Sequence, residues 1–165
     1  PNGKGALKFS ENLIYEGKFF NSKLNGEGKL SLINDYGTII LNGVWDNGIF
    51  IRSKSLQTEG RYNNINTDEV TSIILGSLAW NYMFIEEFKL AEKTALLALN
   101  YDITQTWIYT NVAISLLYQD KYNQAREVYL NYPELKESFL DDFNVLESKG
   151  IYHQEVNSIK KLLNY

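Results

Sequence analysis

The side chains that most often perform catalysis are few in this sequence of 165 residues. It contains one histidine, His153, and no cysteine, which excludes thiol nucleophiles, disulfides and thiolate zinc sites. A catalytic triad would need a nucleophile and an orienting acid around His153, and the sequence assigns neither. We therefore expect His153 to be a solvated surface residue.

Two pairs of adjacent carboxylates, Glu86-Glu87 and Asp141-Asp142, are the other candidates for acid–base chemistry. Neighbouring side chains on a helix project about 100° apart, so neither pair is predicted to share one site. A solvated helix face is the simpler interpretation of both pairs.

The stretch from Gly26 to Lys29 has the glycines and the lysine of a phosphate-binding loop, but not their spacing. A Walker A loop has four residues between its glycines and a Ser or Thr after its lysine. Here one residue separates Gly26 from Gly28, and Leu30 follows Lys29. We expect no catalytic residue, no cofactor and no metal site, and predict that the chain is not an enzyme.

Two internal repeats predict the helices and strands that must position any functional side chain. The clearer repeat lies between Leu75 and Tyr132. An offset of 34 is typical of a unit of two paired helices, and small residues stand where such helices approach closely. Five positions recur at this offset: Leu78, Ala79, Tyr82, Phe88 and Ala91 correspond to Val112, Ala113, Leu116, Tyr122 and Ala125.

This stretch resembles the tetratricopeptide repeat, whose pattern is W-x2-L-G-x2-Y, then A-x3-F, then P. The Trp, Gly and Pro of that pattern are absent, and the period and the small residues carry the resemblance. It implies an array of antiparallel helix pairs. The two copies read Leu75-x2-Leu78-Ala79-x2-Tyr82 with Ala91-x3-Ala95, and Tyr109-x2-Val112-Ala113-x2-Leu116 with Ala125-x3-Tyr129.

The N-terminal part repeats with a shorter offset. Residues 2–7 recur as 25–30, an offset of 23, and residues 15–19 recur as 41–45, an offset of 26. The three extra residues of the second offset fall in a loop-forming stretch at 34–37. Each unit predicts a strand, an Asn-Gly turn such as Asn25-Gly26, and a return strand. Glycines inside the strands predict places where an aromatic ring or another backbone comes close.

These hairpins resemble the MORN repeat, Y-x-G-x-[FW]-x-x-G-x-x-x-G-x-G-x-x. One whole unit runs from Tyr15 to Leu30, while Gly3 and Gly5 resemble the end of an earlier unit. Residues 41–48 resemble the start of a later one. The resemblance implies hairpins stacked into one elongated sheet, with further repeats before Pro1. Because so few repeats are rarely stable alone, we expect the helices to cover this sheet.

The predicted fold class is α+β, with a MORN-like antiparallel β-hairpin sheet over residues 1–66 and tetratricopeptide-like helices over 67–165. Residues 55–66 are predicted to connect the two parts, with some of them extending the sheet, and no strand is expected after 66. The last two helices are expected to form an atypical capping pair. The predicted helices span 68–83, 87–100, 104–119, 121–131, 134–149 and 152–164.

The tetratricopeptide resemblance also implies a concave groove lined by the first helix of each repeat. Exposed aromatic patches mark binding sites, so we predict a peptide anchored on Trp80 and Trp107, with hydrogen bonds from Thr110 and Asn111. The lysine with which family members clamp a terminal carboxylate is replaced by Gly76, which favours an internal segment as ligand. The alternative is a groove filled by the third helix pair or by the sheet. The partner-binding residues implied are Trp80, Phe84, Trp107, Thr110, Asn111, Ile114 and Tyr118.

Charge is distributed unevenly along the chain. Residues 1–66 carry 8 Lys and Arg against 6 Asp and Glu, whereas residues 67–165 carry 8 against 14. An acidic helical part is a poor surface for nucleic acid, because phosphate binding needs clustered cations. We predict a non-enzymatic interaction or scaffold module with a protein or peptide partner, which can be another segment of the same polypeptide. The alternatives are a regulatory arm of a larger enzyme and a membrane-surface binder that uses the sheet.

Overall fold

An antiparallel sheet of five strands occupies the N-terminal part of the computed structural model, which describes residues 2–164. Each strand pairs with the next along the chain, so strand order in the sheet equals sequence order. Six helices follow, and the predicted α+β class is confirmed. The strands are β1 (Gly3–Lys8), β2 (Leu13–Phe20), β3 (Lys23–Asn34), β4 (Gly37–Asp46) and β5 (Ile49–Gly60).

One of the two-residue hairpin turns differs from the prediction of an Asn-Gly turn. Between β2 and β3 the chain turns at Asn21-Ser22, and between β4 and β5 at Asn47-Gly48, all four with positive φ. Both are two-residue connections of the kind that suits the twist of a hairpin. The predicted turn at Asn25-Gly26 is wrong, because these residues lie inside β3. There Gly26, with φ of 71°, belongs to an irregularity in the β2–β3 register.

A row of glycines crosses the first four strands in register: Gly5, Gly17, Gly28 and Gly43. The Tyr15 ring explains two of them. A Cβ atom would lie 2.5 Å from the Tyr15 hydroxyl oxygen at Gly17 and 2.2 Å from it at Gly28. The prediction that glycines in these strands mark the close approach of an aromatic ring is confirmed at both positions.

The helices begin after a short 3-10 turn at Arg61–Asn64, and among residues 2–164 no strand follows Gly60, as predicted. The third helix begins later than the predicted residue 104. Asp102 accepts hydrogen bonds there from the backbone and hydroxyl of Thr104, which form a turn instead. The helices are α1 (Thr67–Phe84), α2 (Phe88–Tyr101), α3 (Ile108–Leu117), α4 (Tyr122–Asn131), α5 (Lys136–Ser148) and α6 (Val156–Leu163).

One hydrophobic core runs through both parts of the molecule, so the helices cover the sheet as expected. At the junction the hydroxyl of Tyr82 on α1 donates a buried hydrogen bond of 2.6 Å to the carbonyl of Gly48 in the β4–β5 turn. Burial raises the pKa of Tyr82, which keeps this donor protonated. Lys23 and Glu87 form an ion pair of 3.5 Å across the same junction.

The small residues of the 34-residue pattern have no exposed surface: Ala79, Ala91, Ala113 and Ala125. Their burial is what the repeat predicts for sites of close helix approach. No helix among residues 2–164 combines the length and apolarity needed to cross a membrane.

Candidate functional site

A continuous groove lies between the turn end of the sheet and one face of α1. It consists of three adjoining cavities of about 380, 500 and 450 Å³, here called the central cavity, the Lys149 end and the Arg61 end. Ser10 and Phe84 line both the central cavity and the Lys149 end. Asn34 and Trp107 line both the central cavity and the Arg61 end.

The helix side of the groove comes from one face of α1. Ile73, Ser77, Trp80 and Phe84 are spaced by four, three and four residues, which places them in one row along the helix. All four are half-buried. The rings of Trp80 and Phe84 pack edge to face with centroids 5.1 Å apart, so each holds the other in place.

Trp107 precedes α3 and reaches this face because Gly76 has no side chain. A Cβ atom at Gly76 would lie 2.7 Å from Cη2 of Trp107 and 2.8 Å from Cδ1 of Ile108. The indole N–H of Trp107 donates to Oε1 of Gln105 at 3.1 Å, and 38% of the residue remains exposed. The glycine thus lets an exposed tryptophan close the side of the central cavity.

The sheet side of the groove comes from its turns. Phe9 and Ser10 follow β1, and Asn34 ends β3. The amide of Asn34 donates to the Tyr62 hydroxyl at 2.8 Å, and that hydroxyl donates back to Oδ1 at 3.1 Å. Phe9 packs edge to face on Tyr82 at 5.5 Å, so this wall is anchored to the core.

Asn81 also lines the central cavity and is incompletely hydrogen-bonded. It is only 6% exposed, and its amide donates to the carbonyl of Ser77 at 2.8 Å. Among the described residues, its Oδ1 atom has no hydrogen-bond donor. A buried acceptor without a donor costs stability.

Among the described residues that line the groove, the charged ones lie at its two ends. Glu86 and Lys149 line the Lys149 end. Arg61 lines the Arg61 end, where its guanidinium carbon lies 5.3 Å from the centre of the Tyr36 ring. The residues that line the central cavity are uncharged, and its walls carry two tryptophans and a phenylalanine.

Three of the seven predicted partner-binding residues surround this cavity together, namely Trp80, Phe84 and Trp107. Thr110, Asn111 and Ile114 do not line it, because their side chains are buried. Asn111 donates to the carbonyl of Gly76 at 3.0 Å, which ties α3 to α1. The predicted use of Thr110 and Asn111 for hydrogen bonds to a peptide is therefore corrected.

Tyr118, the last of the predicted residues, faces the C-terminal segment. Its ring stacks on Phe88 at 4.8 Å, and its hydroxyl donates to the carbonyl of Ile151 at 3.2 Å. The Thr110 side chain likewise donates a hydrogen bond to the carboxylate of Asp142 on α5. The concave face of α3 is thus filled from within by α5 and the segment that follows it, whereas the face of α1 stays open toward the sheet.

His153 belongs to the same internal packing, and the prediction that it is solvated is wrong. Its side chain is 12% exposed, and Nε2 lies 3.1 Å from Oδ1 of Asp120 in the α3–α4 turn. The ring also packs near Tyr118, at 5.3 Å between centroids. The segment between α5 and α6, which contains His153, thus folds back onto this turn.

Sequence reasoning missed the sheet side of the groove. The residues of this side lie in or beside turns, and the positions of these turns relative to α1 depend on how the sheet docks on the helices. They are Phe9, Asn34, Tyr36 and Arg61. No local pattern predicts that docking. Only the structure shows that 55% of the large aromatic residue Tyr36 remains accessible.

A second concave surface lies on the outer face of the sheet, above the row of glycines, with a volume of about 510 Å³. Its side chains are mostly charged. Lys29 pairs with Glu16 and Lys54 with Glu27, and the Lys54 ammonium lowers the pKa of Glu27. Among residues 2–164, no group of three or more His, Asp and Glu side chains could hold a metal ion.

Comparison of the chain with protein-family models, curated proteins and solved structures found no match. The tetratricopeptide-like and MORN-like resemblances therefore remain predictions.

Proposed function

We propose that this chain is a protein-interaction module that binds an extended, internal segment of a partner polypeptide in the groove between the sheet and α1. The observation that carries the proposal is the grouping of Trp80, Phe84 and Trp107 around one open cavity with a further cavity adjoining it on each side. Large aromatic rings contribute much contact area at little entropic cost, which is why they dominate the energetics of interfaces.

The shape of the groove supports a polypeptide rather than a compact ligand. Three cavities in a row, joined at Phe84 and at Trp107, offer successive positions for side chains of one chain. An extended segment provides such a series of side chains.

The charge distribution supports an internal segment rather than a chain terminus. An ionised carboxylate or ammonium group placed in the uncharged central cavity would lose hydration without gaining a partner. Apolar or aromatic side chains of the partner fit this cavity, while polar residues before and after them would lie near Arg61 and Lys149.

A displayed library of random peptides, selected on the wild-type chain, tests the proposal. The affinity of selected peptides is then measured by fluorescence anisotropy for the wild type, Trp107→Ala and Trp80→Ala. Loss of one aromatic anchor should weaken binding about tenfold or more, which corresponds to roughly 1.4 kcal/mol. The matched control is Leu96→Ala, which removes a 49% exposed apolar side chain of α2 outside the groove and should leave binding unchanged.

Selection of no peptide above background would contradict the proposal. So would peptides that bind Trp80→Ala and Trp107→Ala as well as the wild type, with both variants shown to be folded by circular dichroism.

A second candidate function is binding of an anionic membrane surface by the outer face of the sheet. Lys4 and Lys18 are direct cross-strand neighbours on this face, and neither forms an ion pair within residues 2–164. Like charges in this arrangement repel each other, and an anion would relieve the repulsion. Co-sedimentation with phosphatidylserine vesicles would be compared between the wild type and the double variant with Lys4→Glu and Lys18→Glu. Loss of sedimentation in the double variant would assign membrane binding to the sheet and not to the groove.

A further inference from the structure

The Arg61 end of the groove carries one positive charge, and within residues 2–164 the Arg61 side chain forms no ion pair. Its guanidinium carbon lies 5.3 Å from the centre of the Tyr36 ring, and its backbone N–H donates to the Tyr36 carbonyl at 2.8 Å. The ring attracts the guanidinium through its π face and accepts no conventional hydrogen bond. The N–H donors of Arg61 therefore stay available to a carboxylate, which they bind in a bidentate geometry.

The Gln105 amide also lines the Arg61 end, but its groups are bonded within the protein. Its nitrogen donates to carboxylate oxygens of Asp102 at 3.2 Å and of Glu69 at 3.4 Å, and its oxygen accepts the indole N–H of Trp107. Arg61 is thus the charged donor that this end offers to a ligand. The two carboxylates that Gln105 binds repel further anions, so one acidic residue suits this end better than an acidic run.

The Lys149 end differs from the Arg61 end because it carries both signs of charge. Lys149 and Glu86 line it, and neither forms an ion pair in the part of the chain that the structure describes. A carboxylate placed there would be attracted by the ammonium group and repelled by the other carboxylate. The charges of the groove therefore give its two ends different preferences.

The length of the groove relates Arg61 to the aromatic anchors. Ile73 lines the Arg61 end, Trp80 the central cavity and Phe84 the Lys149 end. From Ile73 to Phe84 a helix rises about 16 Å, a distance that about five residues of extended chain span at about 3.3 Å each. Alternate side chains of an extended segment point to the same side, so its first, third and fifth residues would enter the successive cavities.

Given the proposed function of the groove, on which this step rests, we propose that the partner segment carries one Asp or Glu that pairs with Arg61. This acidic residue lies two positions from a large apolar or aromatic residue, which fills the central cavity between Trp80 and Trp107. The carbon atoms of the acidic side chain lie against Ile65 and Ile73, which line the same end. The spacing is the same for both chain directions, and the selected sequences report which direction binds.

The test uses the peptides selected from the random library on the wild-type chain, which should share this acidic residue at this spacing. The tightest-binding selected peptide is compared with the same peptide in which the acid is replaced by its amide, against the wild type and Arg61→Gln, by fluorescence anisotropy. Each single change should weaken binding about fivefold or more. The amide peptide should bind both proteins equally, and its comparison with the acidic peptide needs only the wild-type protein.

Arg52→Gln is the matched control, because it removes the same charge from an exposed arginine of β5 outside the groove. Its effect on affinity should stay below about twofold at physiological salt, where distant charges are screened. Lys149→Gln should likewise change the affinity less than about twofold. The melting temperatures of all three variants report whether they are folded.

The proposal is overturned, with peptide binding by the groove intact, if selected peptides depend on Trp80 and Trp107 but lack the acidic residue. It is also overturned if Arg61→Gln binds like the wild type, or if Lys149→Gln weakens binding in its place. Selection of no peptide above background overturns the proposed function itself, and this step with it. A wild-type dimer in sedimentation that Trp107→Ala abolishes would show that a second copy occupies the groove, which overturns the acidic partner as well.

Discussion

At the scale of single residues, the sheet depends on places where one aromatic ring lies against bare backbone. Tyr15 packs edge to face on Phe19 at 5.3 Å and on Trp45 at 5.1 Å, which leaves its ring little freedom to move. Its hydroxyl donates to the carbonyl of Lys18 at 3.2 Å, and burial raises the pKa of Tyr15 to about 12. The glycines beneath it are therefore required by packing.

Gly28→Ala should destabilise the chain by about 1–3 kcal/mol, because the new methyl group would overlap the Tyr15 ring in a packed core. Urea unfolding monitored by circular dichroism measures the change. Gly5→Ala is the matched control, since it lies in the same row of glycines but has room for a methyl group. Equal stability of the two variants would contradict this account of the row.

Asp142 provides a test of internal packing through pH. Burial raises its pKa to about 6 from 3.8, with a further contribution from Asp141, while the hydrogen bond from Thr110 acts in the opposite direction. The folded state thus binds this proton more tightly than the unfolded chain. The resulting stabilisation is complete below about pH 3.8 and is lost as pH rises through about 6.

Asp142→Asn removes this titration while keeping an acceptor for Thr110. As pH rises from 4 to 8, the free energy of unfolding of the variant should increase relative to that of the wild type by on the order of 1–3 kcal/mol. Urea unfolding of both proteins at a series of pH values gives the difference. A difference that does not change with pH would show that the carboxyl group is not desolvated.

At the scale of elements, the helix pairs depend on small residues at their contacts. Ala125→Leu on α4 should cost about 1–3 kcal/mol, because Ala125 has no exposed surface and the larger side chain overpacks its surroundings. The midpoint of urea unfolding measures this cost. Gln124→Leu adds a leucine at the adjacent, exposed position and should change stability little. An unchanged midpoint for Ala125→Leu would contradict the repeat register.

The elements themselves were predictable to different degrees. The 34-residue period predicts the helices well because helical periodicity and small contact residues are local features. The β2–β3 turn was misplaced by four residues, since Asn25-Gly26 has turn chemistry but is used for an irregularity within β3. Asn21-Ser22 has a weaker turn signal and adopts the positive φ values instead.

At the scale of the whole molecule, the sheet and the helices share one core and should unfold together. Tyr82→Phe removes the hydrogen bond to Gly48 and leaves a buried carbonyl without a donor, which should cost about 1–3 kcal/mol. In a background with Trp80→Phe and Trp107→Phe, Trp45 reports on the sheet and circular dichroism reports on the helices. The unfolding midpoints from fluorescence and from circular dichroism should coincide, and Tyr82→Phe should shift both equally. A shift in only one of them would show that the sheet and the helices unfold separately.

The candidate site could be predicted only in part, because it forms where the two parts of the chain meet. Trp80, Phe84 and Trp107 were found from the helical repeat, since it places them on one side of the first helices. Thr110 and Ile114 were included by the same rule, but both are buried, and α5 packs against α3. How closely the capping pair packs, and which turns of the sheet face α1, depend on contacts between residues far apart in sequence.

Iodide quenching of tryptophan fluorescence tests the central claim most directly, because the three tryptophans differ in exposure. Trp45 is 1% exposed and Trp107 is 38% exposed, while Trp80 is half-buried in the groove. Variants that each keep a single tryptophan, with phenylalanine at the other two positions, assign the signals. Trp107 and Trp80 should be quenched in the free protein and protected by a library-selected peptide, with Trp45 unaffected in both states. The groove would be contradicted as the binding site if iodide did not quench Trp80 and Trp107 in the free protein. It would also be contradicted if the bound peptide left their quenching unchanged.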